Sequence, residues 1–423
     1  MLKIENARLE DGEIHTIWIK GKTIVSLDSE PHHRGSVTTL DAKHCLVLPG
    51  FIDGHVHFRY PGGEHKEDWQ HGSMAALYGG VTTVCDMPNT DPPMTTFDRL
   101  EQKVAGIGRP PLSYLLWAGV TDDTIDQLED ILHHPQVAGV KVYREHSTGN
   151  LLLRDLTHFR QACEIAQKVG KPVAVHVGNE AMIEQNRARL GREPELSDHC
   201  TIRSPAVEDY GTAEAIEIQR QSGCRMIILH VSSPTSLRMI MEAKAAGATI
   251  FAEINPHHLA LYDGMRTSFT YGHLKVNPPL RSDVMRTELK KHLADPLAFD
   301  QACSDHAPHT IEEKRRNQYD QVPSGLPGVQ TLGLIMYRFV QSGQISLSRF
   351  IDLTSRSLGK RLGLNKGEVK VGYDADLVIW SNSKKQVRHR DMRSLCRWTP
   401  YHAWHIRGAP IITICGGVVH RLD

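Results

Sequence analysis

Two imidazoles one residue apart, His55 and His57 in GFIDGHVHFRYPG, close an apolar run that starts at Leu46. Residues i and i+2 of a strand project from the same face, so both rings can reach one metal ion. Three more ligand-type side chains stand in comparable places: His176 in PVAVHV, His230 in RMIILHV and Asp305 in FDQACSDHAPH. Four histidines and an aspartate suit zinc or another borderline divalent ion, and they are too many for one site that keeps a position open for water. They predict a two-metal centre. Ions ~3.5–4 Å apart need a bridging anion. Lys141 in AGVKVYREHSTGN can supply one, because a buried lysine held as the neutral amine can take up carbon dioxide as a carbamate. The plainer alternatives are satisfied histidines, an ion-paired or snorkelling Lys141, and Asp305 as a helix N-cap.

The rest of the composition narrows the partners. Lysine plus arginine total 49 and aspartate plus glutamate total 49, so no net field draws the 423-residue chain to nucleic acid or an anionic membrane. A small-molecule partner is expected, and self-association into a homo-oligomer is left open. The 8 cysteines are scattered without a C-x-x-C pair, which points to reduced thiols in the cytoplasm. The N-terminus MLKIENARLEDGEIHTIWIK is charged throughout and lacks a signal peptide's apolar core; no later run is apolar enough to span a bilayer.

Positioning such residues requires strands that end together. LVLPGFIDGHVH, VTTVCDM, LSYLLWAGV, GVKVYR, PVAVHV, RMIILHVSS, TIFAEINP and FDQACSDHAPH read as buried strands, each separated from the next by a stretch able to hold a helix. About eight βα units is the number at which a parallel sheet closes, and functional side chains then gather at the C-terminal strand ends. An open doubly wound sheet is the alternative, but no G-x-G-x-x-G follows the first long strand. The two ends of the chain, IHTIWIKGKTIVSL on one side and GEVKVGYDADLVIW with PIITICGGVVHRL on the other, read as hairpins. The expectation is an α/β chain: a TIM-like (β/α)8 barrel over residues 50–364, with a small β-sandwich domain built from 1–49 and 365–423.

DGHVHFRYPG, GGVTTVCDMPNTDPP, GVKVY, AVHVGNE, ILHVSS, KVNPPLR and SDHAPHTIEEK together resemble the dihydroorotases, of the cyclic-amidohydrolase group of the amidohydrolase superfamily. The likeness runs from about Gly50 to Gly328 and touches the ADLVIW segment near the C-terminus. It implies that His55, His57 and Asp305 hold one zinc and His176 and His230 a second, with N6-carboxylated Lys141 and a hydroxide between them. It implies that Arg59 and Asn89 grip a substrate carboxylate, a pair that allantoinases, hydantoinases and dihydropyrimidinases generally lack. His309 matches a further carboxylate contact, Asn277 a contact to the ring, and Ser324 with Gly325 a loop that meets substrate through its backbone. The reaction implied is the zinc-dependent, reversible cyclisation of N-carbamoyl-L-aspartate to L-dihydroorotate in pyrimidine biosynthesis, with Asp305 moving the proton. Other cyclic amidases, and a noncatalytic assembly partner, are the alternatives.

Several residues have everyday readings beside these. Arg59 could pair with Glu67 or Asp68, and Asn89 could serve the turn in PNTDPP. Arg144, Glu145 and His146, polar where dihydroorotases usually carry small or apolar residues before STGN, are expected in a solvated loop. His65, His257 and His258 are taken as structural.

Overall fold

The computed structural model describes residues 1–146, 149, 151–265 and 271–422, without the side chains of residues 271 and 272. Ser147, Thr148 and Asn150 of the STGN stretch lie outside the described residues.

Five strands open the chain: β1 (Leu2–Arg8), β2 (Ile14–Lys20), β3 (Thr23–Leu27), β4 (Thr38–Asp41) and β5 (Leu46–Pro49). Eight follow with intervening helices: β6 (Phe51–Val56), β7 (Val81–Asp86), β8 (Ser113–Gly119), β9 (Val137–Tyr143), β10 (Val173–His176), β11 (Met226–Ile228), β12 (Ile250–Ile254) and β13 (Gln301–Ala302). Three more end it: β14 (Leu377–Gln386), β15 (His405–Cys415) and β16 (Val418–Arg421).

β6 to β13 pair in parallel in chain order, and the seam is drawn together where His57 N donates to His306 O at 2.8 Å. The result is a nearly closed TIM-like barrel. Its strands read as continuous apolar runs because both faces are covered, one by helices and one by the opposite wall. Alternation sorts them: Val173 and Val175 join the large core beneath the helices, whereas Ala174 packs with Cys85, Trp117 and Ile227 in a separate cluster. Trp117 Nε1 donates to Gly54 O at 2.9 Å, spanning the interior between strands that are not neighbours. By the same period of two, His176 shares the face of Ala174.

The chain ends meet in a second, mostly antiparallel sheet of order β16-β15-β14-β5-β1-β2-β3, with β4 also on β1. It has a core of its own, including Ile4, Ile17, Ile24, Leu377 and Ile414. One sequence expectation needs correcting here. The run LVLPGFIDGHVH is two strands rather than one, since Leu46–Pro49 pairs with β14 in the terminal sheet and only Phe51–Val56 enters the barrel. Gly50 makes the transfer, where a β-carbon would run into the side chain of Thr82. The sheet also touches the barrel's helical layer, as Thr413 Oγ1 donates to Leu77 O at 2.7 Å.

Candidate active site

The barrel carries its ligand-type side chains at one mouth. His55 is the penultimate residue of β6 and His57 follows its end; Lys141 lies within β9, His176 ends β10, His230 follows β11 and Asp305 follows β13. Three of the site residues hold backbone torsions uncommon for L-residues: φ is +61° at Arg59, +39° at His230 and +44° at Asp305. Each such torsion costs on the order of 1 kcal/mol and persists only where surrounding structure over-determines it.

His55 Nε2 and His57 Nε2 each lie 3.2 Å from Asp305 Oδ1, and the three residues offer ligand atoms within 4.8 Å of one another. This is a candidate metal site. Glu253 Oε1 takes the Nδ1 proton of His55 at 2.9 Å, and Asn89 Oδ1 that of His57 at 2.7 Å, which turns both Nε2 lone pairs toward Asp305. Burial pushes the His57 pKa down to about 3, so the ring is neutral, the form that binds a cation.

His176 and His230 form a second pair. Glu145 Oε1 accepts from His176 Nε2 at 2.9 Å, leaving Nδ1 as a lone pair 2.9 Å from His230 Nε2. Lys141 is fully buried, its Nζ has no hydrogen-bond partner among the described residues, and it lies 4.5 Å over the Tyr143 ring. Burial lowers its pKa to about 7 against the opposing pull of Asp305 and Glu253. Neutral imidazoles, a carboxylate and an orphaned amine fit a divalent centre better than they fit one another.

Every residue nominated from the sequence except His309 lines one pocket: the five candidate histidine and aspartate ligands, Lys141, Arg59, Asn89, Asn277, Ser324 and Gly325. His309, fully buried, reaches that pocket's wall by approaching Arg59 Nη2 at 3.2 Å and the Ser324 carbonyl at 3.1 Å. Gly325 has φ +149°, and a β-carbon there would collide with the carbonyl of Ala307.

The everyday alternatives fare unevenly. Glu67 pairs with His306 at 3.2 Å and Asp68 caps the helix Trp69–Tyr78, so neither is the partner of Arg59, which donates from Nε to the Pro308 carbonyl at 3.2 Å. Thr310, not Asp305, caps the helix Ile311–Lys314. Asn89 sits between Pro88 and Thr90, where Thr90 N donates to Pro88 O at 2.9 Å, and accepts from His57 from there. The solvated loop is corrected for two of its three residues. Arg144 is buried and donates to Glu214 at 2.7 Å; Glu145, 4 % exposed, is held by His176 and Arg203, and only His146 faces solvent. His65 is exposed, whereas His257 and His258 are buried, and His258 Nε2 meets the Pro278 carbonyl at 3.1 Å.

Sequence reasoning missed Glu253 and placed Glu145 in a solvated loop. An acid inside the apolar TIFAEINP was a usable signal for Glu253. Its polarity ahead of STGN marks Glu145, but the burial of that acid depends on Arg203, from a distant segment.

Comparison with known proteins accords with this geometry. The amidohydrolase family model matches residues 46–418. A dihydroorotase of Halobacterium salinarum is 35% identical over 99% of this chain and 96% of its own, and one of Staphylococcus epidermidis is 32% identical over 98% and 96%. Among solved structures, the L-hydantoinase (dihydropyrimidinase) of Arthrobacter aurescens superposes with a TM-score of 0.92 at 26% identity, covering 99% of this chain and 95% of its own. The chain thus belongs to the amidohydrolase family, and within it to the dihydroorotases.

Proposed function

We propose that the protein catalyses the dihydroorotase reaction, closing N-carbamoyl-L-aspartate to L-dihydroorotate with loss of water and reopening it, as a cytoplasmic step of pyrimidine synthesis. Arg59 carries the reading. Arg59 is 5 % exposed, lines the pocket of the histidine cluster, and has no carboxylate within ion-pair distance of its guanidinium among the described residues. An unpaired buried charge is strongly destabilising, and a planar fork of donors suits a carboxylate, so the substrate's own carboxylate is the counter-ion this pocket calls for.

In this reading His55, His57 and Asp305 would hold one zinc ion and His176 and His230 a second, with N6-carboxylated Lys141 as a further ligand. Bound there, two divalent ions supply a water with a pKa of about 7 and an electrophile for the ring carbonyl. The chain's own residues do the rest. The low pKa of Lys141 leaves enough neutral amine near pH 7 to take up carbon dioxide. Arg59 and the Asn89 amide hold the substrate carboxylate, while Asn277 and the Ser324–Gly325 backbone face the ring. Asp305 takes the proton of the attacking water and delivers it to the ring nitrogen as the amide bond opens; in cyclisation it starts protonated. We also infer that residues 1–49 with 365–423 form one composite domain against the barrel of 50–364.

A hydantoinase-type activity is favoured by the structural likeness alone, and it has no use for a buried Arg59. Protein reconstituted with zinc and bicarbonate should hold two zinc ions per chain and turn over dihydroorotate well above hydantoin or allantoin. Asp305→Asn should lower kcat by about two to four orders of magnitude, the range of general acid–base catalysis. Arg59→Ala should cost about a hundredfold in kcat/KM on dihydroorotate, as for truncating one partner of a buried charge pair. Preference for hydantoin, or an equal loss on both substrates in Arg59→Ala, sinks the reading.

A further inference from the structure

A second cavity, of about 330 Å³, lies at the floor of the barrel, the end opposite the histidine cluster. Lys171, which lines it, precedes the strand β10 that His176 ends; Arg225, which also lines it, precedes β11, beyond which His230 stands. Lys360 and Arg361, from the end of the helix Ser357–Arg361, complete its charged lining. The next residue, Leu362, packs onto the interior cluster of Trp117, Ala138 and Ala174 and so holds that helix end against the barrel floor. Four cations line the cavity, and among the described residues no carboxylate does.

These charges are poorly balanced, although the chain as a whole carries 49 acids for its 49 lysines and arginines. Lys171, Arg225 and Lys360 have no carboxylate within ion-pair distance among the described residues. Arg361 has only Asp300, 4.0 Å from its Nη2, and that acid is already held by Lys244. The cations also repel one another. Lys171 is partly buried, and its pKa is held below the ordinary 10.5 by burial first and by the charge of Arg225 second. Their donors are only partly used: Lys171 Nζ gives to the Val137 carbonyl at 2.5 Å, and Arg225 gives to the carbonyls of Gly170 and, at 3.4 Å, Arg361. An ammonium carries three donors and a guanidinium five, so both retain N–H groups to offer. Arg361 Nε is buried with no partner among the described residues. A carboxylate would bring one charge and two oxygens. A phosphate group brings close to two charges and three acceptor oxygens, which suits cations arriving from three separate segments. Leu115 and Leu364 also line the cavity, and they give an organic group carried on the phosphate an apolar surface.

We propose that this cavity is a second ligand site, for a phosphate group either free or esterified, held by Lys171, Arg225 and Lys360 at the end of the barrel remote from the candidate metal centre. It holds whichever cyclic amide the other mouth accepts.

Equilibrium dialysis of the zinc-loaded protein against radiolabelled inorganic phosphate, pyrophosphate and uridine monophosphate measures the binding. One anion per chain should bind saturably, and Lys171→Gln and Arg225→Gln should each weaken it about tenfold, the worth of one hydrogen bond to a charged group. Zinc content and the urea midpoint, matched across the variants, separate this from misfolding. Lys360→Glu, a charge reversal at an exposed position, should weaken binding too without touching the packed interior. Tighter binding of uridine monophosphate than of the inorganic anions identifies an ester as the ligand, and the reverse order identifies free phosphate or pyrophosphate. Binding that all three substitutions leave unchanged belongs to the metal centre and overturns the proposal, as does the absence of saturable binding by every probe.

Discussion

Asn89 Oδ1 accepts the Nδ1 proton of His57 at 2.7 Å, so a single amide joins the candidate metal-ligand set to the pocket wall that holds Arg59. With its oxygen turned to His57, the amide's NH2 is the end able to donate to an anion. Asn89→Ala should then weaken two things at once: zinc affinity by about 10–100-fold, as for other partners that orient a ligand histidine, and apparent affinity for dihydroorotate. Titration with a zinc chelator and steady-state kinetics measure the two. A variant that loses substrate affinity yet keeps full zinc affinity would show that the His57 contact is incidental.

The acid on the other pair should behave similarly without touching substrate. Glu145 takes the His176 Nε2 proton, and Arg203 holds it in place. Burial would raise its carboxyl pKa, but Arg203 and His176 outweigh burial and keep it below the usual value. Glu145→Ala is expected to lower zinc occupancy of the His176–His230 position by about 10–100-fold in affinity, with Glu145→Gln milder because its amide oxygen still accepts. Zinc-to-protein ratios after graded chelation report the difference.

Lys141 makes a prediction about pH. Its pKa falls from the ordinary 10.5 to about 7 in the folded chain, so between those values the unfolded state binds the proton and the folded state does not. Stability therefore rises with pH across that window, and the penalty for charging Lys141 is fully felt below about 7. In metal-free protein, Lys141→Met should show a flatter rise of urea stability from pH 7 to pH 10 than the wild type. Parallel profiles would mean that the amine is not desolvated as described.

A buried ion pair supports the strand end beside Arg59. Lys103 Nζ lies 2.6 Å from Asp86 Oδ2, both fully buried, while Asp86 Oδ1 accepts from Phe58 N at 2.7 Å. Lys103→Met strands Asp86 in the interior and should cost about 3–5 kcal/mol, the usual penalty for breaking such a pair from one side. Urea unfolding at neutral pH measures it, and replacing Asp86 with Asn in the same chain should recover part of the loss.

Much of the architecture is legible in the order of residues alone. The eight apolar runs, each separated from the next by a stretch able to hold a helix, specify a parallel barrel, and the period of two places His55 with His57, while Lys141 and His176 stand near or at the ends of their strands. Those are local properties of a strand, and local residues encode them. The terminal hairpins are legible for the same reason, although the switch of sheets at Gly50 is not, because a continuous apolar run looks alike in either sheet.

What tertiary structure alone decided is which groups face one another. The left-handed torsions of Arg59, His230 and Asp305 and the proton acceptors Glu145 and Glu253 all depend on segments that are remote in the chain and meet only when the barrel closes. Residue type tells what a side chain can donate or accept. Its protonation state and direction follow from the partner across the pocket and from the loss of water, and neither exists until the strands have paired.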